Sequence, residues 1–139
     1  MPTAANNPKL GARLADEQEV YRAFAYKNYR KRKNPPPHEV RYFSYLLGED
    51  DVDDGLSIGL SPNAAVKGLT ENFGYCSISV GVIHGLPHGL EVRLDTTDPE
   101  HAFICNLPLM TISDQSRDKA VYIARELARR SNCITCDPI

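Results

Sequence analysis

Apolar positions recur along this chain in two rhythms. A period of two runs through EVYRAFA (19–25). It sets Val20, Arg22 and Phe24 on one face and Tyr21 and Ala23 on the other, as in a strand. EVRYFSYLL (39–47), LSIGL (56–60), YCSISVGVI (75–83), LEVRLD (90–95) and HAFICNL (101–107) read as strand segments of the same kind. The turn residues HGLPHG between 75–83 and 90–95 predict a hairpin there. A helical period appears twice. Ser61 caps one helix, Pro62 suits its first turn, and Ala65, Val66, Leu69 and Phe73 repeat on one face before Gly74 ends it. A second helix begins near Ser113 or Asp114 and carries Ala120, Ile123, Ala124, Leu127 and Ala128 as an apolar stripe. Its other faces hold Arg117, Lys119, Arg125, Glu126, Arg129 and Arg130.

The strands are grouped and do not alternate with helices. This predicts an α+β fold, a mainly antiparallel sheet of about five strands with two helices packed on one face. Residues 1–18 read as a loosely ordered N-terminal segment and 19–139 as one domain. In YKNYRKRKNPPPH (26–38), three consecutive prolines exclude helix and central strand, which makes the stretch a long loop.

With 139 residues, 42% of them hydrophobic, the chain has enough material for a core without metal or disulfides. A net charge of -2 argues against a general polyanion binder and leaves room for local patches. No apolar run reaches the ~20 residues that span a bilayer. The first residues lack the apolar centre of a signal peptide, so a cytoplasmic location is the expectation. Cys76, Cys105, Cys133 and Cys136 then read as thiols.

Candidate chemistry is dispersed. Lys27, Arg30, Lys31, Arg32 and Lys33 interleave with Tyr26 and Tyr29, which suits phosphate neutralisation with base stacking, or contact with a protein partner. The acidic stretch 49–54 fails as a calcium loop, because Val52 and Ser61 fall on ligand positions. His84, His88 and His101 flank turns and, with Asp98, form weak metal or acid–base candidates if the turns converge. Cys133-x-x-Cys136 supplies half of a zinc site or a redox pair, without a second paired motif. Gly55-Leu56-Ser57-Ile58-Gly59 matches the letters of a nucleophile elbow, but strand-like residues continue past the serine where the elbow needs a helix. No metal and no cofactor are expected from these patterns.

Several short motifs, taken in order, resemble a family of small uncharacterised bacterial proteins. They are Val20-Tyr21-Arg22-Ala23-Phe24, Gly55-Leu56-Ser57-Ile58, Gly89-Leu90-Glu91-Val92, Pro99 to Ile104, and the helix Ala120 to Ala128. That resemblance implies no particular activity. A fainter similarity in motif order is to ADP-ribosyltransferase-like domains, which place an arginine on an early strand, a serine strand before a helix, and a later glutamate. Arg22, Ser57, and Glu91 or Glu100 fall in that order. The similarity implies NAD as cofactor, with the arginine holding the pyrophosphate, the serine orienting a ribose and the glutamate stabilising charge at the sugar. The expectation from the sequence is a small cytoplasmic binding or accessory module for a protein or nucleic-acid partner. The alternative is an NAD-using ADP-ribosyltransferase-like enzyme.

Overall fold

The structure, a computed structural model, describes residues 7–25, 29–31, 38–40, 45–47, 54–66, 72–109 and 114–135. Its strands are β1 (Leu10–Arg13), β2 (Glu19–Ala25), β3 (Tyr29–Lys31), β4 (His38–Val40), β5 (Leu56–Gly59), β6 (Asn72–Ser79), β7 (Glu91–Asp95), β8 (His101–Cys105) and β9 (Asn132–Thr135). The helices are α1 (Pro62–Val66), α2 (Val80–His84) and α3 (Asp114–Arg129). Seven strands form one antiparallel sheet in the order β1-β7-β8-β5-β2-β6-β9. The remaining pair, β3 and β4, forms a small antiparallel ladder. The α+β class and the antiparallel sheet hold. The strand and helix counts are larger than the sequence pattern suggests.

One face of the sheet carries the core. Val20, Phe24, Leu56, Ile58, Cys76, Ile78, Val92, Ala102 and Ile104 are all buried there. The α3 residues Ile123, Ala124, Leu127 and Ala128 cover them in the same apolar cluster, as the helical stripe predicts. Each fully buried large apolar side chain contributes roughly 1.5–3 kcal/mol, so this face dominates stability. Tyr45 is buried with them, and its hydroxyl lies 2.6 Å from Ser131 Oγ. Ser131 in turn donates to Leu127 O at 2.6 Å, so Tyr45 is the donor to Ser131. The opposite face bears Tyr21, Ser57, Gly59, His101 and Phe103, brought together by the registers Tyr21↔Gly59, Gly59↔His101 and Ser57↔Phe103.

Several sequence expectations need correction. Leu10–Arg13 lies in the segment expected to be loose, yet it pairs with β7 as an edge strand. The segment 75–83 is a strand only to Ser79, and Val80–His84 is helical. Val and Ile favour strands locally, but Val80 and Ile83, three apart, both reach the core from a helix. The expected hairpin between 75–83 and 90–95 does not form, because α2 intervenes and β7 pairs with β1 and β8. Gly74 does not end a helix. It lies in β6 next to a register irregularity opposite Phe24 and Ala25, the other common use of a strand glycine. The stretch 26–38 contains β3 and the start of β4, and residues 41–44 of the expected 39–47 strand lie outside the described residues. The helices do not share one face: α1 packs beside Gly59, opposite α3.

Gly55 shows why the turn into β5 is glycine. Its φ is +109°, and a Cβ there would lie 2.5 Å from Ile104 O. The residue lets the chain enter β5 flush against β8. The start of α1 behaves as predicted, with Ala64 N donating to Ser61 Oγ at 3.1 Å. Among the described residues, no helix is long and apolar enough to cross a membrane.

Candidate functional site

The site is built where two strands part. β2 and β5 register at Tyr21↔Gly59. One residue further along, the Arg22 guanidinium reaches over and donates from Nη1 to Ser57 O at 2.7 Å. A charged side chain thus takes the place of a backbone ladder bond. A cavity of about 250 Å³ opens beside it, lined by Tyr21, Arg22, Ala23, Ser57, Ile58, Gly59, Ala64, Ala65 and His101. α1 forms one wall and comes close because Gly59 has no side chain: a Cβ there would lie 2.5 Å from Ala65 N.

His101 is fixed in this wall from both ring nitrogens. Nδ1 lies 2.8 Å from Asp98 Oδ2 and Nε2 lies 3.2 Å from Ala64 O. Tyr21 packs edge-on against Tyr75, with ring centroids 6.0 Å apart. Ser57 is exposed at the cavity and Arg22 half-buried. The polar residues of the lining are thus Tyr21, Ser57, an Arg22 whose guanidinium bridges to the β5 backbone, and a His101 whose two nitrogens are engaged. Among the described lining residues there is no carboxylate.

Of the four residues aligned with the transferase motif order, the structure brings two together. Arg22 and Ser57 both line the cavity, yet they alternate to opposite faces of the sheet, Arg22 with Val20, Phe24 and the facing Cys76 and Ser57 with Tyr21, and the guanidinium meets only the serine carbonyl and not its hydroxyl. Glu91 stands on β7, with β8 between it and β5, and faces Arg13 at 3.9 Å and Arg93 at 3.8 Å. Glu100 is exposed in the turn before β8, where its backbone N donates to Asp98 Oδ1 and its carbonyl accepts from Leu60 N. Neither glutamate lines the cavity.

The histidines separate. His84 lies 2.7 Å from Asp16 through Nδ1, and its Nε2 accepts from Val92 N at 3.0 Å. That arrangement makes it a neutral Nδ1–H tautomer that stands in for a strand partner of β7. His88 is exposed in a turn with φ of +83°. With His101 held by Asp98, the three imidazoles serve separate neighbourhoods. No group of three metal-ligating side chains occurs among the described residues. Cys133 lies in β9, opposite Cys76 on β6, and Cys136 lies outside the described residues. Of the basic segment, Tyr29, Arg30 and Lys31 form β3, while Tyr26, Lys27, Arg32 and Lys33 lie outside the described residues.

Sequence reasoning assigns Tyr21, Gly59, Ala64 and Ala65 no role in a site. The signal for Tyr21 is present all the same, since alternation in β2 sends it to the face opposite Val20 and Phe24. No family model matches the chain, and no curated protein or solved structure matches it significantly.

Proposed function

We propose that the protein acts by binding, and that the cavity between β2 and β5 receives an acidic side chain of a protein partner. The observation that carries this reading is the lining, which includes Tyr21, Arg22 and Ser57 as polar residues, beside a His101 already held by Asp98 and Ala64 O, without a carboxylate among its described residues. A carboxylate placed there gains charge-assisted hydrogen bonds of the stronger class. At about 250 Å³ the cavity falls below the ~300–1,000 Å³ usual for small-molecule sites and suits a single side chain. The test is fluorescence anisotropy of a labelled glutamate-containing peptide against its glutamine counterpart. The glutamate peptide should bind more tightly, and Ser57→Asp, which adds a carboxylate at the exposed position, should abolish the preference. Equal binding of the two peptides contradicts the reading.

A second reading, an ADP-ribosyltransferase-like enzyme using NAD, draws support from Arg22 and Ser57 sharing one cavity. It requires a carboxylate at the sugar, and Glu91 and Glu100 stand elsewhere. Release of nicotinamide from NAD by the purified protein, lost in Arg22→Gln, favours it; no release removes it.

A further inference from the structure

The chain ahead of β1 is tied down at two points. At one, the Asp54 carboxylate takes a donor on each oxygen, Asn7 Nδ2 at 3.0 Å on Oδ1 and Lys9 Nζ at 3.0 Å on Oδ2. At the other, Thr96 N donates to Lys9 O at 2.9 Å, and the Thr96 hydroxyl donates to Pro8 O at 2.9 Å. Between them the Lys9 ammonium stands 5.8 Å from the centroid of the Phe103 ring. Leu10, Phe103 and Cys105 form an apolar cluster here, separate from the main core. Phe103 and Cys105 are buried, and Asp54 O lies 3.8 Å from Cys105 Sγ. Lys9 and Asp54, which make the first tie, are thus also part of the cover over this cluster.

We propose that residues 7–10 are a strap latched by Asp54, which opens while the main core stays folded and uncovers Phe103 and Cys105. The latch is electrostatic and partly solvated, with the Lys9 and Asp54 side chains 44% and 27% exposed, so it closes with a small free energy. The strap runs into β1, an edge strand of four residues whose register with β7 is irregular. Such an element opens at a lower free energy than the whole fold. Hydrogen bonds from Asn7 and Lys9 hold the Asp54 carboxyl below the usual carboxylate range, so the closed strap favours its charged form. Opening bears on the cavity because Phe103 faces Ser57 across β8 and β5. The open form presents an apolar surface beside the cavity's serine and enlarges the face available to a partner. The strap does not depend on the cavity taking a carboxylate.

The test reads thiol labelling. The native full chain is treated with iodoacetamide for increasing times at several urea concentrations below the unfolding transition, quenched, digested with trypsin and followed by mass spectrometry. Cys76 and Cys105 fall on separate tryptic peptides, 68–93 and 94–117. Cys76, at 0% exposure in the main core, reports global unfolding. Labelling of a covered thiol follows the open population, so Cys105 labelling should depend weakly on urea and Cys76 labelling steeply. Asp54→Asn, which removes the charge facing Lys9, should speed Cys105 labelling on the order of tenfold. Lys9→Met, which keeps an apolar stem beside Phe103 and removes the ammonium, should act in the same direction. Cys105 labelling unchanged in either variant overturns the latch. Coinciding urea slopes for Cys105 and Cys76 mean that Cys105 is reached only by global unfolding, and overturn the strap.

Discussion

Replacing Gly59 by alanine tests the closeness of α1 to the sheet. The new methyl would lie 2.5 Å from Ala65 N, 2.8 Å from Ala65 Cα and 3.0 Å from Ala64 C. All three are backbone atoms, so no side-chain rotation relieves the clash. Ordinary contact needs about 3.5 Å or more, so α1 must retreat by ~1 Å. The His101 Nε2 to Ala64 O contact of 3.2 Å would then stretch past hydrogen-bonding range. Overpacking costs ~1–3 kcal/mol and the lost hydrogen bond ~0.5–1.5, about 1.5–4.5 kcal/mol together. In urea unfolding, with a slope of about 2 kcal/mol/M, the midpoint should fall by ~1–2 M. Gly89→Ala is the control. Its φ is +65° and an added methyl there meets nothing within 4 Å, so it bears only the ~1–2 kcal/mol of a left-handed backbone. A Gly59→Ala protein within ~0.5 kcal/mol of wild type, with unchanged His101 ring resonances, would refute the packing argument.

Three further outcomes follow from the same geometry. His84→Ala removes the acceptor of Val92 N–H and should cost ~1–3 kcal/mol in urea unfolding, whereas Asp16→Ala, losing a partner 64% exposed, should cost ~1 kcal/mol or less. Tyr45→Phe deletes the hydroxyl that donates to Ser131 and should lower stability by ~1 kcal/mol in the same assay. Burial pushes the Cys105 thiol up to about 11, with Arg93 opposing and Glu91 and Asp54 adding. Because the folded value lies above the unfolded ~8.5, its contribution is complete below about pH 8.5 and lost as pH rises toward 11. That loss is on the order of 3 kcal/mol, and Cys105→Ala should show a shallower alkaline decline. Tyr45, raised well above the usual tyrosine value mainly by burial, adds to the alkaline loss in both proteins, so the difference between them isolates Cys105.

Long-range pairing is what the sequence hides. α3 is legible because five apolar residues at helical spacing outweigh local ambiguity, and the Ser61 cap because its bond is made within three residues. β5 is legible by its alternation and β8 as a short apolar run stopped by Pro108. α2 is not, since Val80, Val82 and Ile83 prefer strands until the core claims one helical face. β1 and β9 are edge strands whose residues, Leu-Gly-Ala-Arg and Asn-Cys-Ile-Thr, carry little apolar pattern, and pairing with β7 and β6 defines them. At the site, the order Arg22 then Ser57 is readable. Their meeting depends on β2 and β5 being neighbours though thirty-five positions separate the two residues, and the exclusion of Glu91 follows from strand order alone.

The central claim is that the cavity takes a carboxylate. Amide chemical-shift mapping during titration with acetate, against acetamide as the neutral control, tests it most directly. Saturable shifts confined to residues 21–23, 57–59, 64–65 and 101 are expected with acetate alone. Equal shifts with acetamide, or acetate shifts scattered over the surface, would contradict it.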